Sequence, residues 1–114
     1  MNDRSPPVDG AHYHVRTFPD GTKRCEGWIS NGRRCGLWVF YYPTGTKRSE
    51  GGYADDVFHG EFRLWHPNGQ LRETGRYVRG KAQGLFRKWD DGGRLLKESV
   101  FADGELLQHP EQQP

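Results

Sequence analysis

The sequence predicts an all-β fold: an elongated antiparallel β-hairpin repeat array of about eight short strands in one open-edged sheet. Three observations carry the prediction. Gly21, Gly45, Gly69 and Gly93 stand 24 residues apart, as do Gly36, Gly60 and Gly84. Proline keeps the same step at Pro19, Pro43 and Pro67, so a Pro-x-Gly signal recurs once per period. Between these signals lie runs such as GLWVFYY (residues 36–42), aromatic and β-branched, of strand length and too short for a stable helix. A fixed period of this size marks a repeat architecture, in which each unit buries its apolar face against its neighbours.

The period divides the chain into copies at residues 12–35, 36–59, 60–83 and 84–107. The flanking segments 1–11 and 108–114, with Pro6-Pro7 and HPEQQP, read as disordered tails. In the first three copies the first strand ends at Pro-x-Gly, and in the fourth Asp91 replaces the proline. Proline fixes φ for the first corner of a turn and glycine accepts the left-handed conformation that closes it, which suits a three-residue loop with the glycine as a bulge. The second strand, such as TKRSEGGY, runs to an aromatic and meets another turn signal: Asn31-Gly32, Asp55-Asp56, Arg79-Gly80 or Asp103-Gly104. A residue column stays on one face through four copies only if the two loops have equal parity or a bulge corrects them. The second loop is therefore expected to hold three residues, or a bulge to lie beside Gly51 and Gly75. The outer copies are diluted, with His14 in place of Trp38 and Ser99 in place of glycine, as terminal repeats without a neighbour should be.

Composition narrows the function. Leu, Ile, Val and Phe make only about 18% of the chain, but aromatics reach 13% and the net charge is +2, so the chain is not of the charged, aromatic-poor disordered type. Little aliphatic material is left for a deep core around a catalytic cleft. No apolar run has the length of a membrane span, and MNDRSPPVDGA lacks the apolar stretch of a signal peptide, so a soluble cytoplasmic protein is expected. Seventeen basic residues against fifteen acidic ones are too balanced to imply nucleic acid.

No catalytic or metal set emerges, and no cofactor is expected. Cys25 and Cys35 flank the Asn31-Gly32 turn; a two-residue turn sets Cys35 opposite Trp28 and a three-residue turn sets it opposite Ile29. Either leaves Cys25 three or four residues along its strand, ~10 to 13 Å away and beyond bridging distance. His12 and His14 are too few for zinc. Asp55-Asp56 and Asp90-Asp91 fall at turns, where Asp hydrogen-bonds the local backbone. Arg24, Arg48 and Arg72 form a basic column that Glu26 and Glu50, two positions on, are expected to neutralise on the same face. The aromatic columns are left. One sheet with no helix must stack its aromatics, line a groove with them or offer them to a partner, and Trp, Tyr and Arg dominate binding hot spots. The candidate partner-binding residues are Trp38, Tyr41, Tyr42, Phe62, Trp65, Phe86 and Trp89, with Tyr53 and Tyr77 on the second strands.

The segments GLWVFYYPTGTKRSEGGY and GEFRLWHPNGQLRETGRY follow the pattern G-x-W-x-x-Y-Y-P-x-G-x-x-x-x-E-G-x-Y. The pattern resembles the MORN-repeat variant of bacterial proteins known as YwqK-type toxin–antitoxin antitoxins, and the resemblance runs over residues 12–107. It implies a grooved hairpin array, no catalytic residues, and an immunity role in which the array binds and occludes a toxin encoded nearby. His12 stands where the opening glycine belongs, and Asp56 where Gly32 and Gly80 stand. The alternative is a membrane-surface or scaffold MORN module holding anionic lipid through Arg24, Arg48, Arg72 and Arg76, against which the small net charge argues.

Overall fold

The computed structural model describes residues 6–108. Among them are ten strands and no helix: β1 (His12–Thr17), β2 (Lys23–Ser30), β3 (Arg33–Tyr41), β4 (Lys47–Ala54), β5 (Val57–Trp65), β6 (Leu71–Val78), β7 (Lys81–Ala82), β8 (Gly84–Trp89), β9 (Leu95–Ala102) and β10 (Glu105–Gln108). They form one antiparallel sheet whose spatial order follows the chain, with β7 beside β6 off the main path. Each connection is therefore a hairpin, and the molecule is an elongated array of 51 × 31 × 26 Å. Two strands come in addition to the eight expected. Gln83 and Gly84 (φ 86°) split the opening strand of the fourth copy into β7 and β8, and the Asp103-Gly104 turn leads into β10. Of the two tails read as disordered, residues 1–5 and 109–114 lie outside the described residues. Residues 6–11 turn back on the sheet: Ala11 is buried, its N–H donates to the Val8 carbonyl at 3.3 Å, and Pro7 sits over Gly36.

The first loop of each copy is a three-residue reversal, set by Pro-x-Gly in the first three copies and kept with Asp91-Gly92-Gly93 in the fourth, where the Asp90 N–H donates to the Arg94 carbonyl at 2.9 Å. The Phe18 N–H donates to the Thr22 carbonyl at 2.8 Å and the Gly21 N–H to the Phe18 carbonyl at 2.9 Å; Tyr42–Thr46 and His66–Gln70 repeat the geometry. The second loop holds two residues, not three. Ser30 pairs with Arg33, Ala54 with Val57, Val78 with Lys81 and Ala102 with Glu105. Asn31 and Gly32 both take positive φ, 51° and 77°, the conformation that matches the twist of a tight hairpin.

The parity mismatch between the two loops is corrected by the single extra residue that follows each first loop, and a separate, wider bulge lies near the second loop. On β2 and β3, Gly27 faces Trp38 and the next residue, Trp28, faces Cys35, so β3 carries two extra residues there, Gly36 and Leu37. The same excess recurs on β5, between Gly51↔Phe62 and Tyr53↔Phe58. Gly36, Gly60 and Gly84 open these bulges with φ of 71°, 110° and 86°, which is why glycine recurs at that column. An excess of two leaves the alternation of faces unchanged. The cross-strand row His14, Gly27, Trp38, Gly51, Phe62, Gly75 therefore lies on one face throughout.

A second irregularity follows each first loop. Thr17 pairs with Lys23 but Arg16 with Cys25, leaving Arg24 as an extra residue; Arg48 and Arg72 are extra in the same way on β4 and β6. This bulge sends neighbouring side chains to opposite sides. Lys47 reaches Glu50 at 2.9 Å, whereas the Arg48 guanidinium lies 5.8 Å from the Phe40 ring centre on the other face. The expectation that Glu26 and Glu50 neutralise Arg24 and Arg48 is thereby overturned.

Candidate partner-binding face

The sheet has two chemically distinct faces. On one, the ionic face, Glu26 is buried and its carboxylate accepts the Tyr13 hydroxyl at 2.9 Å, the Lys23 ammonium at 3.3 Å and the Tyr41 hydroxyl. Burial alone would raise its pKa, but these donors outweigh it and hold the carboxyl below the ordinary range. Burial and the adjoining carboxylate together push the Tyr41 phenol well up. Along the same row Glu50 bridges Lys47 at 2.9 Å and Arg63 at 3.2 Å, and Arg87 meets Glu98 at 2.8 Å.

The other face is aromatic. Trp38, 2% exposed, lies over Gly27 and Phe40, and its indole N–H donates to the Trp28 carbonyl at 2.8 Å. Phe62 and Phe86 in turn flank Gly75, so glycine columns are slots into which the rings of neighbouring strands lie down. From there a chain of ring contacts runs through Tyr53, Phe58, Tyr77, Phe62, Phe86 and Phe101, with centroids 4.9 to 5.7 Å apart. Burial, and secondarily the charge of Glu73, raises the Tyr77 pKa. Between the second and third copies the rings border a mainly apolar groove of about 280 Å³, lined by Trp38, Phe40, Tyr53, Phe62, Leu64 and Tyr77, with Glu50 and Glu73 at its wall. Trp38 and Phe40 also border a basic recess of about 440 Å³ that holds Arg16, Arg24, Arg34 and Arg48.

The nine candidate residues are thus divided. Trp38, Tyr53, Phe62, Tyr77 and Phe86 share the aromatic face. By strand alternation Tyr41, Trp65 and Trp89 point to the ionic face, where Tyr41 meets Glu26 and the Lys47 ammonium lies 5.7 Å from the Trp65 ring. Tyr42 begins the first loop of the second copy, and its hydroxyl donates to the Trp65 carbonyl at 2.7 Å. His66, one period on, contacts the Trp89 carbonyl at 2.9 Å, so these loop residues tie the second copy to the third and the third to the fourth.

Sequence reasoning did not find Phe58 and Arg34. Phe58, 44% exposed, stands at the period of Arg34 and Ala82 and fits no aromatic column; only the bulge register sets it opposite Tyr53. Arg34 lies 5.3, 5.7 and 5.5 Å from the rings of Trp38, Phe40 and Tyr53.

Other candidate chemistry resolves into structure. Cys35 pairs with Trp28, as a two-residue turn requires, and Cys25 with Phe40; both thiols are free and buried, on opposite faces. Burial, and then the charge of Asp55, pushes the Cys35 thiol up, away from the nucleophilic thiolate. Asp90 accepts the N–H groups of Gly92 and Arg94 at 3.0 and 2.9 Å, which is turn chemistry, whereas Asp56 accepts the N–H of Arg34 on β3, 22 residues away, at 2.7 Å and so ties its turn to the copy before rather than to its local backbone. No three His, Cys, Asp or Glu side chains converge as a metal site among the described residues.

No curated protein matches the chain. Two segments, residues 34–55 and 58–79, match the family model of the MORN repeat variant. They cover the β3–β4 and β5–β6 hairpins, the two central units of the array, each with its Pro-x-Gly loop.

Proposed function

We propose that this chain is a non-catalytic protein-interaction module of the antitoxin or immunity type, which binds a partner protein on its aromatic face and occludes the partner's functional site. The match to the MORN repeat variant supports a repeat module that binds protein or lipid. The finer reading rests on the aromatic face itself: a ring network and apolar groove on a sheet side that no described element covers, with Phe58 at its rim still 44% exposed. Aromatic surface of this kind beside arginines is the material of binding hot spots. Co-expression with the product of each neighbouring gene tests the proposal. A stable complex that suppresses the toxicity or activity of one such product is the expected result; absence of both complex and protection for every neighbour removes the immunity reading.

A further inference from the structure

The basic recess concentrates positive charge with no carboxylate in its lining. Arg16, Arg24, Arg34 and Arg48 gather there on the aromatic face from β1, β2, β3 and β4. None of the four enters an ion pair among the described residues, whereas Lys23, Lys47, Arg63 and Arg87 do so on the ionic face. The bulges after the first loops produce this sorting by turning Arg24 and Arg48 away from Glu26 and Glu50.

The arginines are also held in place. Arg34 is shared by the rings of Trp38, Phe40 and Tyr53, and Arg48 lies against Phe40. A guanidinium resting on an aromatic face leaves its N–H edge free to form paired hydrogen bonds to an oxyanion. The recess and the groove share Trp38 and Phe40 as a common wall, so a basic stretch and then a mainly apolar stretch lie side by side as a track on one face from β1 to β6, with Glu50 and Glu73 on the groove side. At ~4.8 Å per strand the track is ~24 Å long, the span of roughly seven extended residues.

We infer that this track takes an extended acidic-then-apolar segment of the partner protein, its carboxylates held by Arg16, Arg24, Arg34 and Arg48 and its apolar side chains seated between Trp38 and Phe62. This deepens, and rests on, the protein-binding reading above. Single-stranded nucleic acid fits less well, because the guanidiniums already occupy ring faces that bases would need, and the far half of the track is mainly apolar and bordered by the carboxylates Glu50 and Glu73, which repel phosphates. A bilayer fits less well too, because it requires apolar groups that project beyond the basic ones, and Trp38 is buried beneath them.

The test uses a blocked peptide of four glutamates followed by Leu-Phe-Leu, titrated into the full chain and followed by tryptophan emission and by the NMR signals of the arginine side-chain N–H groups. Saturable binding is expected, with affinity falling at least about tenfold when the four glutamates become glutamines or in the Arg34→Gln/Arg48→Gln double variant. Arg34→Lys keeps the charge and loses the fork, and is expected to fall between wild type and the double variant. All of these side chains are exposed, so unchanged thermal unfolding will show that the variants remain folded. Equal affinity for the glutamine peptide, no effect of the double variant, or tighter binding of oligothymidylate or phosphatidylserine vesicles than of the peptide would overturn the inference. If the peptide fails while a partner complex forms and is broken by Phe58→Glu, this inference falls alone; if no partner complex forms, the reading beneath it falls.

Discussion

Trp38 lies so flat against Gly27 that a methyl group placed on that glycine would sit 2.2 Å from the indole ring. The pair joins β2 to β3, and Phe86 over Gly75 repeats the arrangement two copies on. An array without helices builds its thin core in this way: a missing side chain on one strand makes room for a large one on the next.

Alanine substitution at Gly27 is therefore expected to destabilise the fold by about 3 kcal/mol or more, because the indole is fixed by its hydrogen bond to Trp28 and cannot yield. Gly92→Ala is the control. It meets only Asp90 Oδ1 at 3.5 Å and should change stability by no more than ~0.5 kcal/mol. Urea denaturation of the two variants checks the contrast.

Trp38→Ala should cost ~3 to 5 kcal/mol, since the ring is buried and its removal leaves a cavity between copies. Trp65 is half-buried and lies on the ionic face, so Trp65→Ala should cost clearly less, ~1 to 3 kcal/mol, with exposed Thr17, its equivalent in the first copy, below ~1 kcal/mol. Midpoints of chemical unfolding rank the three variants. A loss at Trp65 equal to that at Trp38 would contradict the assignment of faces.

Much of this was legible in the sequence. The 24-residue columns carried the hairpin array and its glycine turns, and Pro19, Pro43 and Pro67 marked the first loops correctly. The face of each side chain was harder to read, because it depends on two bulges per copy. Arg24 and Glu26 are two apart and by simple alternation share a side; the extra residue in the bulge separates them. Phe58 was invisible for a related reason, since its place in the ring network comes from a register that no residue column announces.

Asp56 occupies a left-handed position (φ 69°) where Gly32, Gly80 and Gly104 stand in the other copies, and its side chain accepts the Arg34 N–H at 2.7 Å. Asp56→Ala keeps the backbone cost and loses the acceptor, so a loss of about 2 kcal/mol is expected. Asp56→Gly loses the acceptor but relieves the backbone, and should stay within ~1 kcal/mol of wild type. Thermal unfolding of both variants distinguishes a turn role from any other role for this carboxylate.

The Glu26 carboxyl has its pKa held down in the folded state, so its contribution to stability is fully present above the ordinary value of 4.5 and is lost as pH falls through the lower folded value. Glu26→Gln should therefore destabilise the protein at neutral pH by about 2 kcal/mol, with the difference from wild type shrinking below about pH 4.5. Denaturant midpoints measured from pH 7 down to pH 3 give the comparison. A gap that stays constant over that range would show that the carboxylate charge plays no part.

The central claim is that the aromatic face, and not the ionic face, meets the partner. One measurement tests it directly: the affinity of the partner complex for two variants that place the same charge on opposite sides of the sheet. Phe58, 44% exposed, lies on the aromatic face, and Leu37, 54% exposed, on the ionic face. The account predicts that Phe58→Glu weakens the complex by about a hundredfold or more while Leu37→Glu leaves it within about threefold of wild type. The reverse order, or an equal loss for both, would contradict it.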